Sequence, residues 1–232
     1  MKITDFEELS FLEEEQRKDE IVPTEEDFHG THIMSSRDMC MIDSMQKIWD
    51  AGVCSLKVEG RNKTGYYAAT IARAYRKELD NMAAGEEMFD ESLWEEIHAT
   101  ANRGFFPGFL NGKPRKGDIK YDANASKAKK EFCAEVVNWE AGVLEIMVKN
   151  KIDAGSELEI VMPRISDDFV ITAEEMKFGG TEVEVLHGGN INKRAFIKCE
   201  TELEKGTFIR QKAKNAGIKM TKIEEAVASY KA

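Results

Sequence analysis

The feature that most constrains the fold of this chain is a change of hydrophobic period near residue 60. Residues 53–58 form a short, mostly apolar run with β-branched side chains, which is typical of a strand buried on both faces. From Gly65 the period becomes helical. The apolar positions of this helix are Tyr67, Ile71, Tyr75 and Leu79. Because α/β proteins do their chemistry at the carboxyl ends of strands, Glu59 and Arg61 are candidate catalytic residues. A buried Glu–Arg pair that only ties the strand to a neighbour is the alternative.

A second unit of the same kind precedes this one. Residues 29–35 suit a strand, residues 35–38 offer a helix cap, and residues 39–51 carry a helical apolar pattern. We therefore predict that residues 29–82 form a parallel βαβα unit, which is too small to make an independent sheet of this class. The residues expected at one edge of this unit are Ser36, Asp38, Glu59 and Arg61.

Charge, apolar runs and cysteine spacing indicate what kind of protein this is. The net charge of −10 is concentrated in residues 1–28, where eleven acids face three bases, so we expect a solvated helix or a mobile arm there. No apolar run approaches the roughly 18 residues of a membrane helix. We therefore expect no membrane contact. The four cysteines lack zinc-finger or redox-motif spacing, which favours a reducing, cytoplasmic location.

The second half of the chain changes character. Residues 83–128 read as a connector with an aromatic, glycine-rich loop, which either docks the preceding helix or lines a substrate path through Arg103 and Phe105. Residues 129–211 contain short strand-like segments separated by turn residues, which predicts a small antiparallel sandwich or closed barrel. Residues 212–232 suggest a short, basic helical tail.

Much of the chain resembles peptidase family U32, in that family's later part. The most specific blocks are Ser-Arg-Asp-Met-Cys at residues 36–40 and Ser-Leu-Lys-Val-Glu-Gly-Arg at residues 55–61. Further landmarks stand at residues 25–26, 29–31, 33–34, 52–53, 63, 66–67, 75–76, 102–104, 108–109, 149–150, 155, 157–160 and 163. The resemblance implies an α/β plus all-β fold: the last two βα units of a TIM-type barrel, followed by a small antiparallel β-barrel. The family's earlier barrel strands and its upstream cysteines have no counterpart in this sequence.

The resemblance also implies a cofactor in the full-length family. Cys40 looks like one ligand of an iron–sulfur cluster, and such a cluster normally needs about four thiolates. The other three cysteines stand at positions that the family does not use. We therefore expect no cluster on this chain alone, and an ordinary buried cysteine is the alternative for Cys40.

Two classes of function follow from the resemblance. The first is an enzyme: a tRNA hydroxylation protein that makes 5-hydroxyuridine, or a collagenase-like peptidase. The catalytic residues would be Ser36, Asp38, Glu59 and Arg61, and the substrate-binding residues would be Lys57, Arg103 and Phe105. The second is a non-catalytic β-barrel module that binds RNA or a partner chain. Because an incomplete barrel exposes apolar surface, we expect a complementary barrel chain, self-association, or cover by the acidic N-terminal segment.

Overall fold

A computed structural model of the chain describes residues 10–14, 17–27, 30–33, 35–86, 88–113, 119–120, 128–189 and 194–213. The predicted helical tail at residues 212–232 lies almost wholly outside them. The described residues group into two compact units. The N-terminal unit draws on Met1–Ser44 and Asn102–Lys127, and the C-terminal unit draws on Met45–Ala101 and Ala128–Ala216.

The N-terminal unit opens with a three-stranded antiparallel sheet in the order β1-β2-β3. Its strands are β1 (Ser10–Glu14), β2 (Arg17–Asp27) and β3 (Gly30–Ile33). The helix or mobile arm that the acidic charge suggested is therefore wrong for residues 10–14 and 17–27. Charge alone does not decide backbone conformation, and the register pairs apolar positions across the hairpin, Leu12 opposite Val22.

The predicted parallel βαβα unit is not what the structure contains. Residues 53–58 form no strand and are exposed throughout, and β3 pairs antiparallel with β2. The predicted helix cap at residues 35–38 is also wrong, since this segment holds two short strands. The physical reason is that a strand exists only where a neighbour pairs with its backbone. Among the described residues no strand pairs with residues 53–58.

The C-terminal unit begins with three helices, α1 (Met45–Asp50), α2 (Gly65–Ala83) and α3 (Leu93–His98). Helix α2 begins where the change of period predicted it, and the Thr64 hydroxyl accepts a hydrogen bond from the backbone N–H of Tyr67 at 3.2 Å as its N-cap. The buried face is rotated by about one residue from the predicted one. It consists of Tyr66, Thr70, Ile71, Arg73, Ala74 and Glu78.

The rest of the C-terminal unit is β-structure, as predicted. Its strands are β8 (Lys130–Glu140), β9 (Val143–Val148), β10 (Ile152–Asp153), β11 (Glu157–Val161), β12 (Phe169–Thr172), β13 (Lys177–Phe178), β14 (Thr181–Glu182), β15 (Val185–Leu186), β16 (Ala195–Lys198) and β17 (Phe208–Lys212). Eight of them form one antiparallel sheet in the order β12-β11-β17-β8-β9-β16-β13-β14. No described pairing joins β12 to β14, so this sheet is a curled half-barrel rather than the predicted closed barrel.

One hydrophobic core fills the concave side of this β-structure. Its fully buried members include Leu144, Ile146, Leu158 and Ile209. The backbone of Gly188 approaches that of Lys149, directly after β9, so closely that a Cβ at Gly188 would overlap the Lys149 carbonyl oxygen. Across the described ranges, no helix has both the length and the apolar character needed to cross a lipid bilayer.

Candidate functional site

Four short strands in the N-terminal unit position most of the predicted site residues. These are β4 (Ser35–Ser36), β5 (Asp38–Met39), β6 (Phe105–Phe106) and β7 (Ile119–Lys120). Strands β5 and β6 run parallel, with Asp38 opposite Phe105. The Asp38 N–H donates to the Gly104 carbonyl at 2.9 Å, and the Cys40 N–H donates to that of Phe106, also at 2.9 Å. Segments more than 60 residues apart in sequence thus form one surface, which we call the paired-strand site (residues 37–40 and 102–110).

An ion pair lies at the centre of the paired-strand site. The Arg103 guanidinium donates to Asp38 Oδ1 through Nη2 at 2.8 Å and through Nε at 3.2 Å. The backbone N–H of Arg103 donates to Asp38 Oδ2 at 3.1 Å. Both carboxylate oxygens are therefore engaged, which suits Asp38 to positioning Arg103 better than to proton transfer. The Arg103 side chain keeps 37% of its surface exposed.

Arg37 lies beside this pair but is not neutralised by it. Its guanidinium packs on Gly104, where Nη1 would be 3.6 Å from an added Cβ. Gly104 has φ +83°, a conformation that favours glycine and brings the backbone close to the arginine. The Arg37 Nε is buried and donates to no acceptor in the described part of the chain. Sequence reasoning missed this residue, because only the fold shows that no carboxylate in the described ranges pairs with Arg37.

Exposed apolar side chains lie on the same two segments as the two arginines. Met39 is 64% exposed and Phe109 is 76% exposed. The Met39 thioether packs against Gly108, where φ is +64° and a Cβ would lie 2.7 Å from the sulfur. The loop that carries Phe109 is therefore held against strand β5. Arginine planes and an exposed aromatic ring on one surface are the means by which proteins bind unpaired nucleotides.

The cysteines do not form a four-thiolate set. Cys40 is buried directly after β5. Cys133 lies in the core of the C-terminal unit and donates its thiol to the Ile209 carbonyl at 3.3 Å, and burial raises its pKa to about 12. Cys199 is likewise buried and donates to the Thr201 carbonyl. Core thiols of this kind do not fit as cluster ligands.

No group of three or more histidine, cysteine or carboxylate side chains in the described ranges could hold a metal ion. Cys40 as a single ligand of a cluster completed elsewhere stays a prediction.

The second predicted group lies in the C-terminal unit, in the exposed segment before α2. Glu59 accepts the backbone N–H of Arg61 at 3.0 Å, and Lys57 Nζ lies 4.0 Å from the Glu59 carboxylate. Both Lys57 and Glu59 have more than two thirds of their side-chain surface exposed. Within this unit Glu59 therefore closes a turn, and the proposed catalytic role of Glu59 and Arg61 stays a prediction. Ser36 pairs by its backbone with Ile119.

A buried ionic cluster, which sequence reasoning missed, joins the helices to the sheet of the C-terminal unit. Its members are Arg73 on α2, Glu96 on α3, Lys130 on β8, Glu159 on β11, Asp168 before β12 and Arg210 on β17. Arg73 donates to both oxygens of Asp168, each at 2.8 Å, and to Glu96 at 2.6 Å. Arg210 donates to Glu96 at 2.8 Å and to Glu159 at 2.6 Å.

The charges of the ionic cluster balance, with three bases and three acids. Burial by itself would raise the pKa of Glu159, but hydrogen bonds from Arg210 and Lys130 outweigh burial and lower that pKa to about 2. Burial likewise opposes the charge on Arg210, yet its carboxylate partners hold its pKa above the ordinary value. Each charged group of the cluster has an opposite partner, although the buried Nε of Arg210 donates to no described acceptor, so the cluster has no net charge left for a ligand. We therefore assign it to stability rather than to a functional site.

Comparison with known proteins identifies the family. The model of peptidase family U32 matches residues 6–120, and the model of the U32 C-terminal domain matches residues 128–210. The chain belongs to peptidase family U32. The paired-strand site lies within the first match and the half-barrel within the second.

Individual relatives carry two kinds of name. The tRNA hydroxylation protein P of Escherichia coli is 38% identical over 162 residues, which are 69% of this chain and 36% of that protein. A collagenase of Porphyromonas gingivalis is 30% identical over 155 residues, 63% of this chain and 36% of that protein. The chain also matches the solved C-terminal domain of a putative U32 peptidase of Geobacillus thermoleovorans, with 20% identity and a TM-score of 0.32. The match covers 36% of this chain and 93% of that domain. This chain spans about a third of the length of the relatives it matches.

Proposed function

We propose that this chain supplies the C-terminal part of a U32-family protein that hydroxylates uridine in tRNA. The observation that carries the proposal is the pairing of residues 37–40 with residues 102–106, which gathers Arg37, Asp38 and Arg103 on one surface with a net positive charge. A relative named tRNA hydroxylation protein P is 38% identical to this chain over 162 residues. A positive surface with exposed apolar rings suits RNA, which carries phosphates and bases.

Charge favours the N-terminal unit over the half-barrel as the RNA contact. Residues 128–213 contain sixteen acids and twelve bases, which does not favour a phosphate backbone. Residues 113–127, which follow the paired-strand site, contain five bases and two acids. The RNA-binding role that the resemblance suggested for the β-barrel is therefore proposed for residues 37–40 and 102–127 instead.

The proposed roles divide between binding and positioning. Arg103 binds an anionic group of the substrate. Asp38 holds it in place by accepting two hydrogen bonds from its guanidinium and one from its backbone N–H. Glu59 and Arg61 remain candidates for the chemical step. No step is assigned to a cluster on this chain, because its own cysteines do not form a ligand set.

A partner that completes the barrel is part of the proposal. Val53 and Val58 expose 48% and 42% of their surfaces in a segment that has no strand partner among the described residues, and nearby Trp49 is 55% exposed. Such a segment can pair by its backbone with a neighbouring strand and bury these side chains. We propose that a complementary barrel-forming part covers them, which is how residues 53–58 would become the strand that their pattern predicts.

This partner proposal is tested by sedimentation of the purified chain. In the absence of the complementary part, the uncovered segment should pair with a second copy, so we expect the purified chain to self-associate and Val58→Asp to abolish the association. Exposed Val170→Asp, in the half-barrel, is the matched control and should leave the association unchanged. A wild-type chain that stays monomeric and binds no hydrophobic dye would contradict the proposal.

The hydroxylation proposal is tested in the organism that encodes this chain. Deletion of its gene should remove 5-hydroxyuridine from digested tRNA measured by mass spectrometry. Wild-type protein should restore the modification, and Arg103→Met should restore it poorly. Arg76→Met, which changes an exposed arginine on α2, is the control and should restore it fully. Unchanged 5-hydroxyuridine after deletion would refute the proposal, and loss of gelatin cleavage instead would favour the collagenase-like activity.

A non-catalytic RNA-binding module is the second candidate. The observation that favours it is the complete engagement of Asp38 by Arg103, which leaves the paired-strand site with binding groups but without an available base. Under this alternative the purified chain binds tRNA, while deletion leaves 5-hydroxyuridine unchanged.

A further inference from the structure

We propose that Arg37, together with the loop that carries Phe109, forms a receptor for one unpaired nucleotide. Arg37 binds the phosphate, and Phe109 and Met39 contact the base. This inference rests on the proposed function, since it takes RNA as the substrate class. It adds a site that neither the sequence patterns nor the relatives' names assign.

The first argument is the unmet hydrogen-bonding capacity of Arg37. A guanidinium carries five N–H donors, and a buried donor without an acceptor costs free energy. The Arg37 Nε is such a donor. The neighbouring carboxylate does not relieve it, because the Asp38 carboxylate accepts its hydrogen bonds from Arg103. Nε itself is enclosed by protein, so an incoming phosphate would be bound by the Nη groups of this half-buried side chain, for which the described residues supply no carboxylate.

The second argument is how firmly the guanidinium is placed. Arg37 lies between β4 and β5 and packs on Gly104, whose φ of +83° disfavours any side chain that would displace it. The pairing of β5 with β6 fixes both segments relative to one another within the N-terminal unit. A receptor held in this way loses little conformational entropy when it binds an anion.

The third argument is the apolar surface on the same two segments as Arg37. Phe109 and Met39 are the most exposed large apolar residues of this loop and strand, at 76% and 64%. Sulfur and aromatic surfaces stack favourably with nucleobases of any sequence. A phosphate-binding arginine and a stacking surface match the two chemical parts of a nucleotide. A protein carboxylate or an inorganic anion has no base and would leave the stacking surface unused.

The test measures binding of fluorescently labelled oligouridine to the full-length chain by anisotropy over a series of salt concentrations. Arg37→Met should weaken binding about tenfold and reduce the slope of log K against log salt by about 0.7, the value for one lost single-strand phosphate contact. Phe109→Ala should weaken binding at least about fivefold while the slope stays unchanged, since stacking releases no counterion. Arg164→Met, at an exposed arginine of the C-terminal unit, should change neither quantity.

Each outcome bears on the inference. The inference is overturned if wild type and Arg37→Met have equal slopes, if Arg164→Met loses as much affinity as Arg37→Met, or if wild type does not bind oligouridine. Far-ultraviolet circular dichroism and unfolding midpoints establish that the variants are folded, and Arg37→Lys should retain the slope with weaker affinity. If Arg37→Met behaves as expected while gene deletion leaves 5-hydroxyuridine unchanged, only the hydroxylation proposal fails. If deletion removes 5-hydroxyuridine while Arg37→Met binds normally, only this inference fails.

Discussion

Replacement of Glu96 by glutamine tests whether the ionic cluster holds the helices to the half-barrel. Glu96 is 5% exposed and accepts hydrogen bonds from Arg73 at 2.6 Å and from Arg210 at 3.1 and 2.8 Å. Glutamine keeps the size of the side chain but removes its charge, which leaves a buried net charge of +1. Breaking a buried pair in this way typically costs 3–5 kcal/mol.

The expected loss lies near the lower end of that range, at about 3 kcal/mol. Arg73 keeps two hydrogen bonds to Asp168, and Arg210 keeps its bond to Glu159 at 2.6 Å. Even this loss is a large part of the stability of a typical domain, about 5–15 kcal/mol. Urea unfolding followed by tryptophan fluorescence measures it, since Trp94 and Trp139 lie in the same unit.

Glu95→Gln is the matched control, because it makes the same chemical change one residue earlier on α3. The Glu95 side chain is 70% exposed, and its pair with Lys129 at 2.6 Å should contribute less than about 1 kcal/mol. In a double-mutant cycle, Arg73→Met should recover part of the stability that Glu96→Gln loses, since it restores the charge balance. If Glu96→Gln and Glu95→Gln unfold at the same urea concentration, the cluster does not stabilise the unit and the reasoning is refuted.

Three further predictions concern the C-terminal unit. The pKa of Glu159 falls from 4.5 to about 2 on folding, so its contribution to the free energy of unfolding is present above pH 4.5 and is lost as the pH falls towards 2. Glu159→Gln should therefore flatten the acid dependence of the thermal midpoint. Alkylation followed by mass spectrometry should modify exposed Cys54 well before Cys133, whose pKa is about 12; equal rates would contradict the assigned burial. Gly188→Ala should cost about 1–3 kcal/mol in urea unfolding through overlap with Lys149, and an unchanged midpoint would disprove the close approach.

Local patterns predicted the half-barrel and the long helix well. The strands at residues 143–148 and 157–161 were predicted from short apolar segments bounded by turn residues, and Gly142 and Gly155 adopt the positive φ of such turns. Helix α2 begins beside its cap at Thr64. These features depend on residues that are close in sequence, which is why the sequence alone determined them.

Contacts between distant residues were decided only by the tertiary structure. Residues 53–58 have the composition of a buried strand, but backbone pairing needs a neighbour that the described chain does not provide. The Asp38–Arg103 pair joins residues 65 positions apart, and Glu96 accepts hydrogen bonds from Arg73 and Arg210. That the Arg37 Nε has no acceptor among the described residues also depends on such distant neighbours. The sequence thus determined where turns, helices and half-barrel strands lie, because their causes are local. Which charges are buried, paired or left for a ligand was decided by tertiary packing, because burial and pairing are properties of neighbours in space.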